Sequence, residues 1–334
     1  MRLHLNENTA GCSPAVIDAL RALGRQDASC YPDYDKARAA VAACFSVPAD
    51  HVVLTNGLDE GILAAVAAAF RDRTVAAPET LGVAPAFDMY EICTTALGGR
   101  IVMVPLGERF ELDTGALKAA VTANTRIVFV TNPHNPSGVT CALDDLRALA
   151  RDIAPVTLFV DEAYADFSGE SLIDAGTFAR LPNLVVGRTF SKAYGIAGLR
   201  AGAVIGAPAT LAPIARVIPP YSLNAFAAAA LPVAIADKPY RAWYLEQASA
   251  SRALLGQACG RLGVQTWPSA ANFMLVRVGD RASEIVAALS ARGVLVRDRS
   301  RDRGCEHCIR ITAGLVDDTT RAIAALEEVL CAAR

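Results

Sequence analysis

Seven short, mostly continuous apolar runs, at residues 51–55, 74–77, 100–104, 126–131, 157–160, 184–188 and 201–205, alternate with helical patterns at 59–70, 86–97, 114–121 and 143–154. That alternation constrains the fold more than any other feature of the chain. An apolar run without polar interruptions needs cover on both faces, and strand–helix alternation supplies it in an α/β domain with a mostly parallel sheet. After about residue 224 the pattern changes. A long helical stretch at 239–262 precedes a strand at 273–278, a helix at 281–292, a strand at 309–312 and a helix at 317–333. This is a smaller α+β unit. The first 30 residues carry one helix, at 13–23, and are expected to pack with it. The expected domains are therefore 31–224 (large) and 1–30 with 225–334 (small).

A length of 334 residues suits two such domains. Hydrophobic residues at 53% and charged residues at 20% exclude a disordered chain. Basic and acidic residues nearly balance, 32 against 34, which leaves no electrostatic footprint for nucleic acid or an anionic membrane. No apolar run has the ~18 residues of a transmembrane helix. Arg2 and Glu7 speak against a secretory leader. Nine scattered cysteines, an odd number, suggest reduced thiols and a cytoplasmic protein. Cys305 and Cys308 have the spacing of zinc ligands, but no second cluster completes a set of four, so no metal is expected.

In open α/β sheets ligands bind beyond the carboxyl ends of the strands, and the residues there are consistent with one ligand. Gly57-Leu58-Asp59 opens a helix after the first run and offers free N–H groups to an anion. Two Asn-Pro steps, Asn132-Pro133 and Asn135-Pro136, end the fourth run and point an amide off its end. His134 between them reads as a solvated loop residue. Asp161 and Glu162 follow the buried run 157–160 without a metal-ligand cluster, which asks for an organic cation beside Asp161. Thr189 and Ser191 flank Lys192, and Arg200 follows. Hydroxyls and an arginine suit a phosphate dianion, and a lysine among apolar neighbours can act as an amine nucleophile. A phosphate, a ring nitrogen that wants a carboxylate and an aldehyde that wants a lysine together describe pyridoxal 5′-phosphate.

These residues resemble the class I/II aminotransferases of fold type I, in the branch of the histidinol-phosphate aminotransferases. The resemblance runs through Leu5-Asn6-Glu7-Asn8, Tyr31-Pro32-Asp33, residues 132–138, 160–164 and 191–200, Ala271-Asn272-Phe273 and residues 308–314. It implies a fold-type I transferase, with a mostly parallel central sheet in a large domain plus a smaller α+β domain. It implies that Lys192 is the Schiff-base lysine and proton carrier, that Asp161 pairs with the pyridine nitrogen, and that Asn135 and Tyr164 bond the ring hydroxyl. Leu58 and Asp59 would give backbone donors to the phosphate, joined by Thr189, Ser191 and Arg200. Phe87 would stack on the ring, with ordinary core packing as the competing role. Tyr31 would reach the cofactor phosphate of a neighbouring subunit, making a homodimer with shared sites. Arg310, Arg297 and Asn8 would contact the substrate.

There are departures from the family pattern. Ala10 stands where the family often has a tyrosine, and residues 79–84 read as extra residues before the Phe87 motif. Arg297, Arg299, Arg301 and Arg303 also alternate with other polar residues in the manner of a solvated basic loop. The expected reaction is amino transfer from L-histidinol phosphate to a 2-oxo acid, 2-oxoglutarate first. The alternatives are an aromatic or other amino acid as donor, or an amino-acid phosphate decarboxylase on the same scaffold.

Overall fold

Alternate residues of the central strands face opposite ways, and both sides are covered. The computed structural model describes residues 1–71, 75 and 77–332. Its strands are β1 (Arg2–Leu3), β2 (Val52–Asn56), β3 (Glu79–Ala84), β4 (Arg100–Pro105), β5 (Thr125–Thr131), β6 (Thr157–Asp161), β7 (Leu184–Thr189), β8 (Ala201–Gly206), β9 (Gln265–Thr266), β10 (Phe273–Arg277), β11 (Leu295–Asp298) and β12 (Cys308–Thr312). Seven of them form one sheet in the order β2-β8-β7-β6-β5-β3-β4. Its pairs from β4 to β7 are parallel, and β8 runs antiparallel to both β7 and β2.

Ile127, Phe129, Phe159 and Val185 bury one face against Leu58, Ile62 and Val66 of helix Gly57–Ala69. Val128, Val130, Leu158, Val160 and Val186 bury the other against Leu146, Leu149 and Ala150 of helix Leu143–Asp152. This period-2 division, apolar on both sides, is why these runs carry no polar alternation. It also sets where Asp161 and Thr131 point. Each continues the parity of Phe159 and Phe129 and ends on the side of helix Gly57–Ala69.

The remaining strands form a second sheet, β1-β11-β12-β10-β9. β1 pairs in parallel with β11, and the pairs β11–β12, β12–β10 and β10–β9 are antiparallel. Helices Lys238–Leu262, Ala282–Ala291 and Val316–Ala332 cover it, with Leu255, Ile285, Leu289 and Leu326 in its core.

Several expectations need correction. Residues 79–84 are not an insertion. They are β3, paired between β4 and β5 in the large sheet, where Leu81 and Val83 are buried. Of the strand expected at 74–77, residues 74 and 76 lie outside the described ones, as does residue 333 at the end of the last helix. The run at 295–298 is a strand rather than loop. Helix Ala225–Ala236, expected with the small unit, buries Ala227, Ala230 and Leu231 in the core of the large sheet. Val16 of helix Pro14–Arg21 joins the same core, while Arg2–Leu3 join the small sheet.

Candidate active site

The carboxyl ends of β5, β6 and β7 open into a cavity of about 470 Å³ whose other wall comes from the small sheet and the amino-terminal segment. Of the sequence-derived candidates, Leu58, Asp59, Phe87, Asn135, Asp161, Tyr164, Thr189, Ser191, Lys192, Arg200, Arg297 and Arg310 all line it.

Asp161, only 3% exposed, is the last residue of β6. Its Oδ1 accepts from the Ala163 amide at 2.9 Å and its Oδ2 from the Tyr90 hydroxyl at 2.8 Å. Burial pushes its pKa up to about 6 against the pull of those bonds. Tyr90 also meets Thr131 Oγ1 at 2.7 Å. Because the single phenol proton goes to Asp161, Thr131 must be the donor in that contact. The Tyr90 ring stacks on Phe129, centroids 4.6 Å apart, and Phe87 meets it edge-on. Tyr90 is not among the sequence-derived candidates. Its helical position three residues after Phe87 was the available signal.

Lys192 sits in the loop after β7, and its Nζ donates to the Leu5 carbonyl at 2.9 Å. Arg310 Nη1 donates to Asn135 Oδ1 at 2.5 Å, which leaves the Asn135 amide hydrogens available to a ligand. Tyr164 OH accepts from Asn6 Nδ2 at 3.0 Å, which leaves the phenol proton available as well. The structure therefore puts Asn6, not Asn8, on the cavity wall. Asn8 is turned away to close the turn 8–11: its Oδ1 accepts from the Ala10 amide and its Nδ2 donates to the Ala193 carbonyl. Asn6 lay inside the quoted amino-terminal motif, but only tertiary contact could rank it above Asn8.

At the start of helix Gly57–Ala69, Gly57 adopts φ +74°, and a Cβ there would lie 2.5 Å from Arg200 Nη2. Arg200, itself at φ +58°, pairs with Asp59 Oδ2 at 2.8 Å. Thr189 and Ser191 are buried beside them, and the Thr189 hydroxyl accepts from the Ser191 amide at 3.2 Å. A helix amino terminus, two hydroxyls and an arginine, packed around a missing side chain, make a cradle with the donor set of a phosphate site.

The small sheet brings Arg297 and Arg310 to one face, because they are direct cross-strand partners. Arg299 lines the cavity too, is 6% exposed, and pairs through Nε with Asp302 Oδ2. The solvated-loop expectation therefore holds for Arg301 and Arg303, which are exposed, and fails for Arg299. Burial is the main cause of a lowered Arg310 pKa, about 10, and the nearby Arg299 and Arg297 charges add to it. Tyr31 does not line the cavity of its own chain. It is 77% exposed and stacks on Tyr221, centroids 4.1 Å apart.

His134 and the Cys305–Cys308 pair are all buried. His134 is not solvated. It is buried between Ser137 Oγ at 2.8 Å and the Pro85 carbonyl at 2.9 Å, and its pKa falls to about 4. Cys305 and Cys308 pack with Phe110, Trp267 and Leu275, and no group of three metal-capable side chains occurs among the described residues.

Residues 1–326 match the profile of the family Aminotransferase class I and II. Histidinol-phosphate aminotransferase 2 of Ralstonia nicotianae is 36% identical over 347 residues, spanning 100% of this chain and 89% of that protein. Among solved structures, histidinol-phosphate aminotransferase from Sinorhizobium meliloti in complex with pyridoxal-5′-phosphate superposes with TM-score 0.89 at 27% identity, covering 100% of this chain and 91% of the other. L-threonine-O-3-phosphate decarboxylase from Porphyromonas gingivalis superposes with TM-score 0.83 at 26% identity, covering 99% of each chain.

Proposed function

We propose that this chain, which belongs to the class I and II aminotransferases, binds pyridoxal 5′-phosphate (PLP) and moves the amino group of L-histidinol phosphate to a 2-oxo acid, with 2-oxoglutarate as the favoured acceptor. The observation that carries the reading is one cavity holding Lys192, the buried carboxylate of Asp161 and the buried guanidinium of Arg310. The names of the relatives from Ralstonia and Sinorhizobium support the donor.

The residues present fit the cofactor, because the cradle at Gly57 would be filled by any Cβ and the buried Asp161 has no cation beside it. When bound, PLP supplies an aldehyde that condenses with amines and a ring that takes up the electron pair left on Cα. Asp161 would accept the ring N–H and hold the ring charged. Asn135 Nδ2 and Tyr164 OH would donate to the ring hydroxyl oxygen. The amides of Leu58 and Asp59, with Thr189, Ser191 and Arg200, would hold the phosphate, and Phe87 would cover one ring face. Lys192 Nζ, released from the Leu5 carbonyl, takes the Cα proton and returns it. Arg310 and Arg297 grip the anionic end of the donor.

We assign Tyr31 to a neighbouring subunit's cofactor phosphate, and hence a homodimer. Its exposed, stacked ring, absent from its own cavity, supports this. Nine unpaired cysteines support a cytoplasmic setting. No helix among the described residues is long and apolar enough to cross a membrane.

The test is a half-reaction screen: PLP-loaded protein is mixed with candidate amines and the cofactor absorbance is followed. Bleaching by L-histidinol phosphate ahead of phenylalanine supports the donor, and an outright preference for phenylalanine moves the assignment to an aromatic amino acid. The Porphyromonas relative favours a second reading, decarboxylation of an amino-acid phosphate. Carbon dioxide release without any 2-oxo acid would establish it instead.

A further inference from the structure

Strand alternation puts Arg297 and Arg299 on the same face of the small sheet, and Arg310 lies directly across from Arg297. The ladder continues, with the Arg299 amide donating to the Cys308 carbonyl at 3.0 Å. Like charges opposite one another destabilise a sheet, and a buried guanidinium is costly unless it is paired. Yet Arg299 and Arg310 are each only 6% exposed. One carboxylate, Asp302, pairs with this group, and it occupies only the Nε of Arg299. That contact is an ion pair without hydrogen-bond alignment, and the buried Nε of Arg310 has no hydrogen-bond partner among the described residues. Glu7, the other carboxylate on the amino-terminal side of the cavity, is already paired with Arg2 at 2.8 Å. Asp88 also lines the cavity, but it is exposed and makes no ion pair with the three arginines. Three guanidiniums therefore face the cavity with one carboxylate paired to them, an excess of positive charge that suits an anion of about two charges.

We propose that Arg299 is the specificity-determining residue for a doubly charged donor head group, and that Asp302 positions it. The ion pair with Asp302 lies at the Nε edge and leaves the outer fork to a phosphate monoester. A carboxylate donor is served by one bidentate arginine and needs no third. The inference rests on the donor reading given above.

The test uses the PLP-loaded enzyme. It compares kcat/KM for L-histidinol phosphate and L-phenylalanine in the parent, Arg299→Gln and Asp302→Asn, across the pH range in which a phosphate monoester gains its second charge, near ~6. Inorganic phosphate serves as a competitive inhibitor in the same assays. The ratio of histidinol phosphate to phenylalanine should fall about thirtyfold or more in Arg299→Gln, as expected when one partner of a desolvated charged pair is lost. The rise of that ratio with pH should flatten. Asp302→Asn should lower it less, chiefly through KM. If Arg299→Gln does not fold, Arg299→Lys keeps the charge and loses the fork, and should lower the ratio by about three- to tenfold. A parent that favours histidinol phosphate, with an unchanged ratio and pH slope in the variants, would overturn the role of Arg299 alone. A parent that rejects histidinol phosphate, yet binds inorganic phosphate in an Arg299-dependent way, would overturn the donor and uphold the anion site. Rejection together with Arg299-independent phosphate inhibition would overturn both.

Discussion

The Tyr90 hydroxyl donates to Asp161 Oδ2 at 2.8 Å and is itself held by Thr131, so the one buried carboxylate at the cavity floor is aimed by a helix that packs on the sheet. The Ala163 amide occupies the other oxygen. Neither neighbour is a cation, and burial therefore dominates, raising the carboxyl from 3.8 to about 6.

A linked pH dependence follows for the cofactor-free protein. Between pH 3.8 and about 6 the folded state holds a proton that the unfolded chain releases, so stability falls as pH rises through that window. The full effect is on the order of 3 kcal/mol. The difference in unfolding free energy between the parent and Asp161→Asn, both without cofactor, should shrink by that order between pH 4 and pH 7. Urea unfolding at several pH values measures it, and a pH-independent difference would show that Asp161 is not the titrating group. Turnover of the loaded Asp161→Asn enzyme should drop by several powers of ten.

Lys192 has its Nζ on the Leu5 carbonyl, so the amine is already confined within the cavity. Borohydride treatment of the loaded protein should fix the cofactor to Lys192, read by peptide mass. Lys192→Ala should lose turnover altogether while retaining PLP through the phosphate cradle. Labelling of a different lysine would remove Lys192 from its proposed place.

Gly57 tests that cradle. Its φ of +74° costs a residue with a side chain about 1–2 kcal/mol, and an added Cβ would also push against the Arg200 guanidinium. Gly57→Ala should therefore lose both stability and PLP affinity. Arg200→Ala should lose affinity, by about ten- to a hundredfold, without the backbone penalty. Equilibrium dialysis of PLP against both variants separates the two effects. Equal affinity in parent and Arg200→Ala would place the phosphate elsewhere.

The large sheet was legible because its strands are apolar on both faces, a pattern no amphipathic element imitates. The residues at its strand ends were legible for the same reason: Asp161 is the first polar group after its run, and Asn135 and Lys192 lie in the short polar segments that end theirs. The strand at 79–84 was missed because Glu79, Thr80 and Gly82 interrupt it. Glu79 is nonetheless buried, its carboxylate held by Arg100 and Thr122. Arg299 was misread because alternating charge looks the same on a solvated loop and on a strand whose one face closes a cavity. Asn6 and His134 depended on partners 158 and 49 positions away in the chain, which no local pattern records.

Tyr31 decides how the site is assembled. Its ring is 77% exposed and is held by stacking on Tyr221 rather than by the core, so it is presented outward at little cost in order. If it completes the neighbouring site, a chain carrying Tyr31→Ala damages its partner's cavity, whereas Lys192→Ala damages its own. Mixing the two variants under exchange conditions should then build heterodimers with one site lacking both groups and one site intact. Activity should rise from two poorly active parents toward about a quarter of the normal value per subunit, because half the dimers are mixed and each has one good site. The mixture is assayed against both parents, with exchange verified by distinguishable tags. No gain despite proven exchange would confine Tyr31 to its own chain.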